Sequence, residues 1–199
     1  MGSLFSADDD STQNAYLDRL ATPWCLYRDG YQEAAFLLIE RSETFYRRNT
    51  LIYPILFLFR HHIELCLKEF ILHEKRGIKN PGSELNDHNL KNLWKVCEEI
   101  IRERHLPITA DELKIIKSGV EDFNHVDSQS YAFRYPVDKK GADSLPNRSD
   151  PISIRELKGT MESLTSCLKR LVDLLAIDSD MRREFQEIKN SWLLGKEIE

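Results

Sequence analysis

Glycine is scarce in this chain, eight residues in 199. Neither Gly-x-Gly-x-x-Gly nor Gly-x-x-x-x-Gly-Lys occurs, so the backbone loops that cradle a dinucleotide or a nucleoside triphosphate are missing. A Gly-x-Ser-x-Gly elbow is absent too, which removes the usual serine-hydrolase arrangement. Cysteine is sparse and dispersed: Cys25, Cys66, Cys97 and Cys167 form no Cys-x-x-Cys pair, and each lies among apolar residues. That is the pattern of small core residues in a reducing compartment. Long apolar runs are missing as well. The longest, 51–59, has nine residues and includes Pro54, against roughly twenty for a membrane span. The opening Met-Gly-Ser-Leu-Phe-Ser, followed by Asp8, Asp9 and Asp10, lacks the basic and apolar regions of a secretory signal. The expectation is a cytoplasmic protein without membrane association.

Positive charge is also in deficit. The formal net charge is -5, so no global field draws the chain to nucleic acid, and any such binding must be local. Basic clusters stand at Lys75, Arg76 and Lys79, at Arg102 and Arg104, and through Arg134, Lys139, Lys140, Arg148 and Arg155. Each taken alone reads as a solvated face or loop.

What the sequence does have is helical periodicity. Apolar residues recur every three or four positions, and strict alternation is nearly absent, which predicts an all-α fold. About seven helices are expected in one helical domain, 11–199, behind a flexible tail, 1–10. They fall at about 11–21, 24–44, 49–75, from Asp87 to before Pro107, from a Thr109/Glu112 capping box to near His125, 153–176, and after Asp180. The third is apolar all round in its first half and should be the buried centre of a bundle, with Pro54 in its first turn or so. Between 126 and 151 the pattern disappears in an irregular loop far longer than an ordinary connection. Its aromatics Tyr131, Phe133 and Tyr135 argue that the first half packs on something. The sixth helix carries Ile154, Leu157, Met161, Leu164, Leu168, Leu171 and Leu175 at heptad spacing, a seam for the protein's own bundle or for a homodimer.

The most unusual local feature is Arg60-His61-His62-Ile63-Glu64, followed by Lys68, directly after the apolar run and inside the same helix. Arg60 with Glu64, and Glu64 with Lys68, are four apart and can pair on one face. A salt-bridge ladder that fixes helix packing is one reading, and a polar site lined by this helix is the other. Metal binding would draw on His61 and Glu64 with His88 or His125. The paired Glu-x-x-His motifs and extra carboxylates of di-iron bundles cannot be assembled, so no metal and no cofactor are expected. What remains is general acid-base chemistry by histidine with arginine.

Three segments carry a family likeness: Pro54-Ile-Leu-Phe-Leu-Phe-Arg60-His61-His62-Ile-Glu64-Leu-Cys-Leu-Lys68, then His88-Asn-Leu-Lys-Asn-Leu-Trp94, then Phe133-Arg134-Tyr135-Pro136. Over roughly 24–176 the chain resembles HEPN-type helical proteins of bacteria. The resemblance implies an all-α bundle, often dimeric, found in toxin-antitoxin and antiviral defence systems, and in many members a metal-independent ribonuclease. Active members place a histidine four to six residues after an arginine and its polar neighbour. Here Arg48-Asn49 meets Tyr53, Pro54 and Ile55 at those distances, Arg60-His61 meets Leu65, Cys66 and Leu67, and Arg102 has His105 too close. A substituted site would use Arg60, His61 and His88 as catalytic groups, with Arg134 delivered by the aromatic loop. Glu64 and Lys68 would serve structural ion pairing, and Tyr131, Tyr135, Lys139 and Lys140 would contact RNA. The alternative is a structural clasp in which Arg134 answers Glu64, within a non-catalytic interaction protein that dimerises or binds a cognate protein partner.

Overall fold

In the computed structural model, residues 6–16, 24–74, 83–145 and 151–196 are described, with side chains described as far as 191. Among them are five α-helices, α1 (Trp24–Glu40), α2 (Phe45–Glu74), α3 (Leu90–Arg104), α4 (Ala110–Val126) and α5 (Ile154–Lys196), with short 3-10 turns at Ser11–Gln13 and Ser83–Asn86 and no strand. The all-α expectation holds; the count of seven does not. The first expected helix is a single capped turn at 11–13, where Asp10 accepts from the Thr12 amide. Its remainder from 17, and 1–5 of the expected tail, lie outside the described residues. The sixth and seventh expected helices are one continuous helix. The stretch 160–194 contains no glycine or proline, and an Arg182–Asp178 pair at 2.8 Å bridges the place where the apolar pattern fades.

Four helix starts have a local cause. Thr44 Oγ1 accepts the Arg47 amide at 3.2 Å, so α2 starts a turn earlier than the predicted 49, and Pro54 stands inside the helix. A proline there withholds one ladder hydrogen bond. Asn89, not Asp87, caps α3 by accepting from the Asn92 amide, while Asp87 braces the cap through the Asn89 amide at 2.8 Å. Thr109 and Glu112 form the expected capping box on α4. Ser153 Oγ accepts the Glu156 amide at 3.2 Å and opens α5.

α2 is the centre, packed against α1, α3 and α5, while α4 packs on α3 and α5. One buried cluster runs from Ala35 on α1 to Leu175 on α5, with Phe59, Ile63, Leu67 and Phe70 of α2 in its middle. Met161, Leu164, Leu168, Leu171 and Leu175 are all buried in this core, so the α5 seam is spent within one chain. Gly119 lets α4 approach α5 closely, because a Cβ there would lie 2.4 Å from Leu164 Cδ2. By length and composition α2 could cross a membrane, yet half of its apolar window is buried inside the protein, and a core helix passes the same test.

Candidate functional site

Successive residues on a helix turn by about 100°, so Arg60, His61 and His62 enter three environments. Arg60 points into the core and is fully buried. Its Nη1 donates to Glu64 Oε2 at 2.8 Å, its Nε to the Asp127 carbonyl at 2.9 Å, and its Nη2 to the His88 carbonyl at 2.5 Å. One guanidinium thereby joins α2, the end of α4 and the entry to α3. His62 faces α1, with Nδ1 2.9 Å from the Arg28 carbonyl and Nε2 3.4 Å from Cys66 Sγ. Burial pulls it down to about 4. His61 faces outward, edge-on to Tyr31 with centroids 4.5 Å apart and stacked on Phe57 at 5.8 Å. Its partial burial lowers its pKa, and Glu64, Arg60, Lys68 and His88 all lie near enough to act on its charge.

Glu64 is the hub. Its Oε2 takes Arg60, and its Oε1 takes both Lys68 Nζ and His88 Nδ1 at 2.8 Å. Burial alone would raise this carboxyl, but the hydrogen bonds from Lys68 and Arg60 outweigh it and the pKa is lowered. Lys68 is buried. The His88 side chain is 57% exposed while its carboxylate partner is 3% exposed. Nδ1 is occupied by Glu64, which leaves Nε2 as the nitrogen able to exchange a proton.

The segment after α4 is built, not slack. Asp127 Oδ1 accepts the amides of Tyr131 and Ala132 at 2.6 and 3.0 Å, a turn that Ser130 completes at φ 58. Phe133 enters the core against Phe123. Tyr131 and Tyr135 stack at 4.6 Å. Arg134 donates from Nε to the Ser130 carbonyl at 2.8 Å and lies over Phe57 at 5.8 Å and over Tyr135 at 5.4 Å. Glu64 is therefore paired with Arg60, Lys68 and His88, and Arg134 is not its partner. Beyond it, Val137 and Asp143 form a single antiparallel bridge. Asp138 closes the tip by accepting the amides of Lys140 and Ala142, at 2.7 and 3.0 Å, with Lys139 and Lys140 exposed.

Comparison with protein-family models, with curated proteins and with solved structures found no match to this chain.

The structure thus brings two groups together. Arg60, Glu64, Lys68 and His88 form one hydrogen-bonded cluster. Tyr31, His61, Phe57, Arg134, Tyr135 and Tyr131 form a continuous series of ring and guanidinium contacts beside it. Sequence reasoning missed Asp127, Phe57 and Tyr31. Asp127 carried a signal, an aspartate at a helix end followed by Ser-Gln-Ser, which favours side-chain-to-backbone turns. Among the described residues no group of three His, Cys, Asp or Glu side chains is placed to hold a metal ion.

Proposed function

We propose that the chain is an RNA-binding and RNA-cleaving module of HEPN-like type, with His88 and His61 as its proton-transfer groups. The observation that carries this reading is the Glu64–His88 pair: a buried carboxylate, itself held by two cations, aims a solvent-facing imidazole. A carboxylate behind a histidine fixes tautomer and orientation, as it does in triad-type sites. His61, lowered by burial, is neutral at neutral pH and serves as the base. It takes the proton from a ribose 2′-OH; the oxygen attacks the adjacent phosphorus, and the bond to the 5′-oxygen breaks. The His88 ring that carries a proton on each nitrogen, its charge facing the Glu64 carboxylate, gives the Nε2 proton to that leaving oxygen, yielding a 2′,3′-cyclic phosphate and a 5′-hydroxyl end. Arg134 meets the phosphate, Tyr131 and Tyr135 offer faces for stacking, and Lys139 and Lys140 add local positive charge. Arg60 is a positioning residue, since its guanidinium is buried among protein acceptors.

The test is incubation of purified protein with RNA in the presence of a chelator. Cleavage to cyclic-phosphate ends, abolished by His88→Ala and by His61→Ala, is the expected outcome. Intact RNA at high protein concentration would remove the catalytic reading.

A second reading has its own observation. The outer part of α5 exposes Ile177, Met181, Phe185 and Ile188, an apolar stripe suited to a protein partner or a second copy. A non-catalytic interaction protein would use that surface.

A further inference from the structure

Between α2 and the bridged hairpin at 137–143 lies a pocket of about 350 Å³, lined by Tyr53, Phe133, Arg134, Tyr135, Asp143 and Ser144 among others. We propose that it is a nucleobase pocket that selects guanine in single-stranded RNA, an inference that rests on the RNA reading above.

Three features point there. Tyr53 and Tyr135 are half exposed at the lining and Phe133 is buried beneath, which supplies aromatic faces of the kind on which bases stack regardless of sequence. One polar group of the lining is unspent. Ser144 Oγ is buried without a hydrogen-bond partner among the described residues, while the Ser144 amide is tied to the Pro136 carbonyl at 3.0 Å and holds the hairpin in place. A buried hydroxyl left unpaired is costly, and a ligand that bonds it removes the cost. The pocket also continues into the catalytic surface, because Arg134 lines it and lies over Phe57, on which His61 stacks. A base in the pocket sets its own phosphate beside Arg134 and directs the chain toward the two histidines.

Asp143 decides which base. Asp143 lines a site proposed for a polyanion, where a carboxylate repels phosphate. It becomes favourable only by accepting hydrogen bonds from a base edge. Guanine alone offers two adjacent donors, N1–H and the N2 amino group, which a carboxylate accepts side by side. Uracil offers one donor between two carbonyl oxygens. Adenine and cytosine set a ring acceptor beside the amino group, which faces the carboxylate with like polarity.

The experiment is calorimetric titration of the full chain with guanosine, adenosine, cytidine and uridine 3′-monophosphates. The guanosine nucleotide should bind at least about tenfold more tightly than the other three. Asp143→Asn should erase that advantage, and Tyr135→Ala should weaken all four. Asp143 and Tyr135 are exposed, so thermal melting should show both variants folded. Equal binding of all four nucleotides, with Asp143→Asn without effect, overturns the selection of guanine. Absence of binding by any of them overturns the pocket. The two proposals separate cleanly: RNA cleavage without preference for guanosine sinks this one and leaves the histidine pair. Guanylate binding by a chain that leaves RNA intact sinks the cleavage reading and leaves the pocket.

Discussion

His88 donates from Nδ1 to Glu64 Oε1 across 2.8 Å, and the backbone carbonyl of the same histidine receives Arg60 Nη2 at 2.5 Å. His88 is thus held at one ring nitrogen and at its backbone by one buried ion cluster on α2, while the rest of the ring reaches solvent. Core stability and site geometry share the same atoms.

Replacing Glu64 by Gln tests the core side of that sharing. The carboxylate is 3% exposed and bonded to Arg60 and Lys68, so the substitution leaves two cations in the interior without a counter-charge. Breaking a buried pair from one side costs on the order of 3 kcal/mol. Urea denaturation should show a loss of that size for Glu64→Gln, against roughly 0.5 kcal/mol or less for His88→Ala, whose ring is mostly solvated. Equal stability of wild type and Glu64→Gln would mean that the cluster does not hold the bundle together.

Acid should act on two buried groups of this fold in the same sense, His62 and Glu64, while Glu69, raised by its burial, acts in the opposite sense. His62 is lowered from 6.5 to about 4 by burial. The unfolded chain therefore binds more protons between those values, and stability falls as pH drops through that window. A shift of this size corresponds to roughly 3 kcal/mol. Glu64 is lowered below its ordinary 4.5. Its contribution is complete above that value and is lost as pH falls further, through its folded pKa. Denaturation curves taken at intervals from pH 8 to 4 should slope downward below about 6.5, and His62→Gln should flatten the upper part of the slope. Equal slopes for wild type and His62→Gln below about pH 6.5 would contradict the buried, neutral His62.

Asp127 latches the segment that carries Arg134. Its side chain takes two amides, at 2.6 and 3.0 Å, and its carbonyl takes Arg60. Asp127→Ala frees both amides and removes the carboxylate that lies 3.4 Å from Arg60 Nε, while keeping the carbonyl contact. The expected result is faster hydrogen exchange at Tyr131 and Ala132, a stability loss of about 1–3 kcal/mol, and weaker RNA binding than wild type. Unchanged exchange at those two amides would show that they are protected without the Asp127 carboxylate.

How much could be read beforehand follows from how far apart the interacting residues are. The capping box of α4 is four residues of local chemistry and was plain. The Arg60–Glu64–Lys68 ladder is likewise visible at i, i+4 spacing. His88 and Asp127 stand 24 and 67 residues from their partners Glu64 and Arg60, and no periodicity reports such pairings. At two places a local signal in the sequence misleads. Pro54 suggested a helix start, whereas the Thr44 hydroxyl had already capped α2. The fading of apolar residues after Leu175 suggested a break, whereas only the environment changes there: the helix continues beyond the body that covered its seam.

That continuation leads to the last prediction. Ile177, Met181, Phe185 and Ile188 are each 58–68% exposed, and at 100° per residue they fall within an arc of about 80°. Met181 lies about 120° around the helix from Leu175, so this stripe is a separate surface from the buried seam. In an antiparallel pairing of two copies that sets Phe185 against Ile188 of the second copy, Glu184 falls opposite Lys189, and the opposite charges flank the apolar contact as they do beside coiled-coil seams. A two-fold pairing makes each contact twice, which suits a homodimer. Sedimentation equilibrium at micromolar concentration should return twice the chain mass for wild type. Phe185→Glu should return a single chain with an unchanged melting profile of the bundle core, because the side chain replaced is solvent-exposed. A wild-type protein that sediments as a monomer would leave the stripe to some other partner and rule out the pairing of two copies.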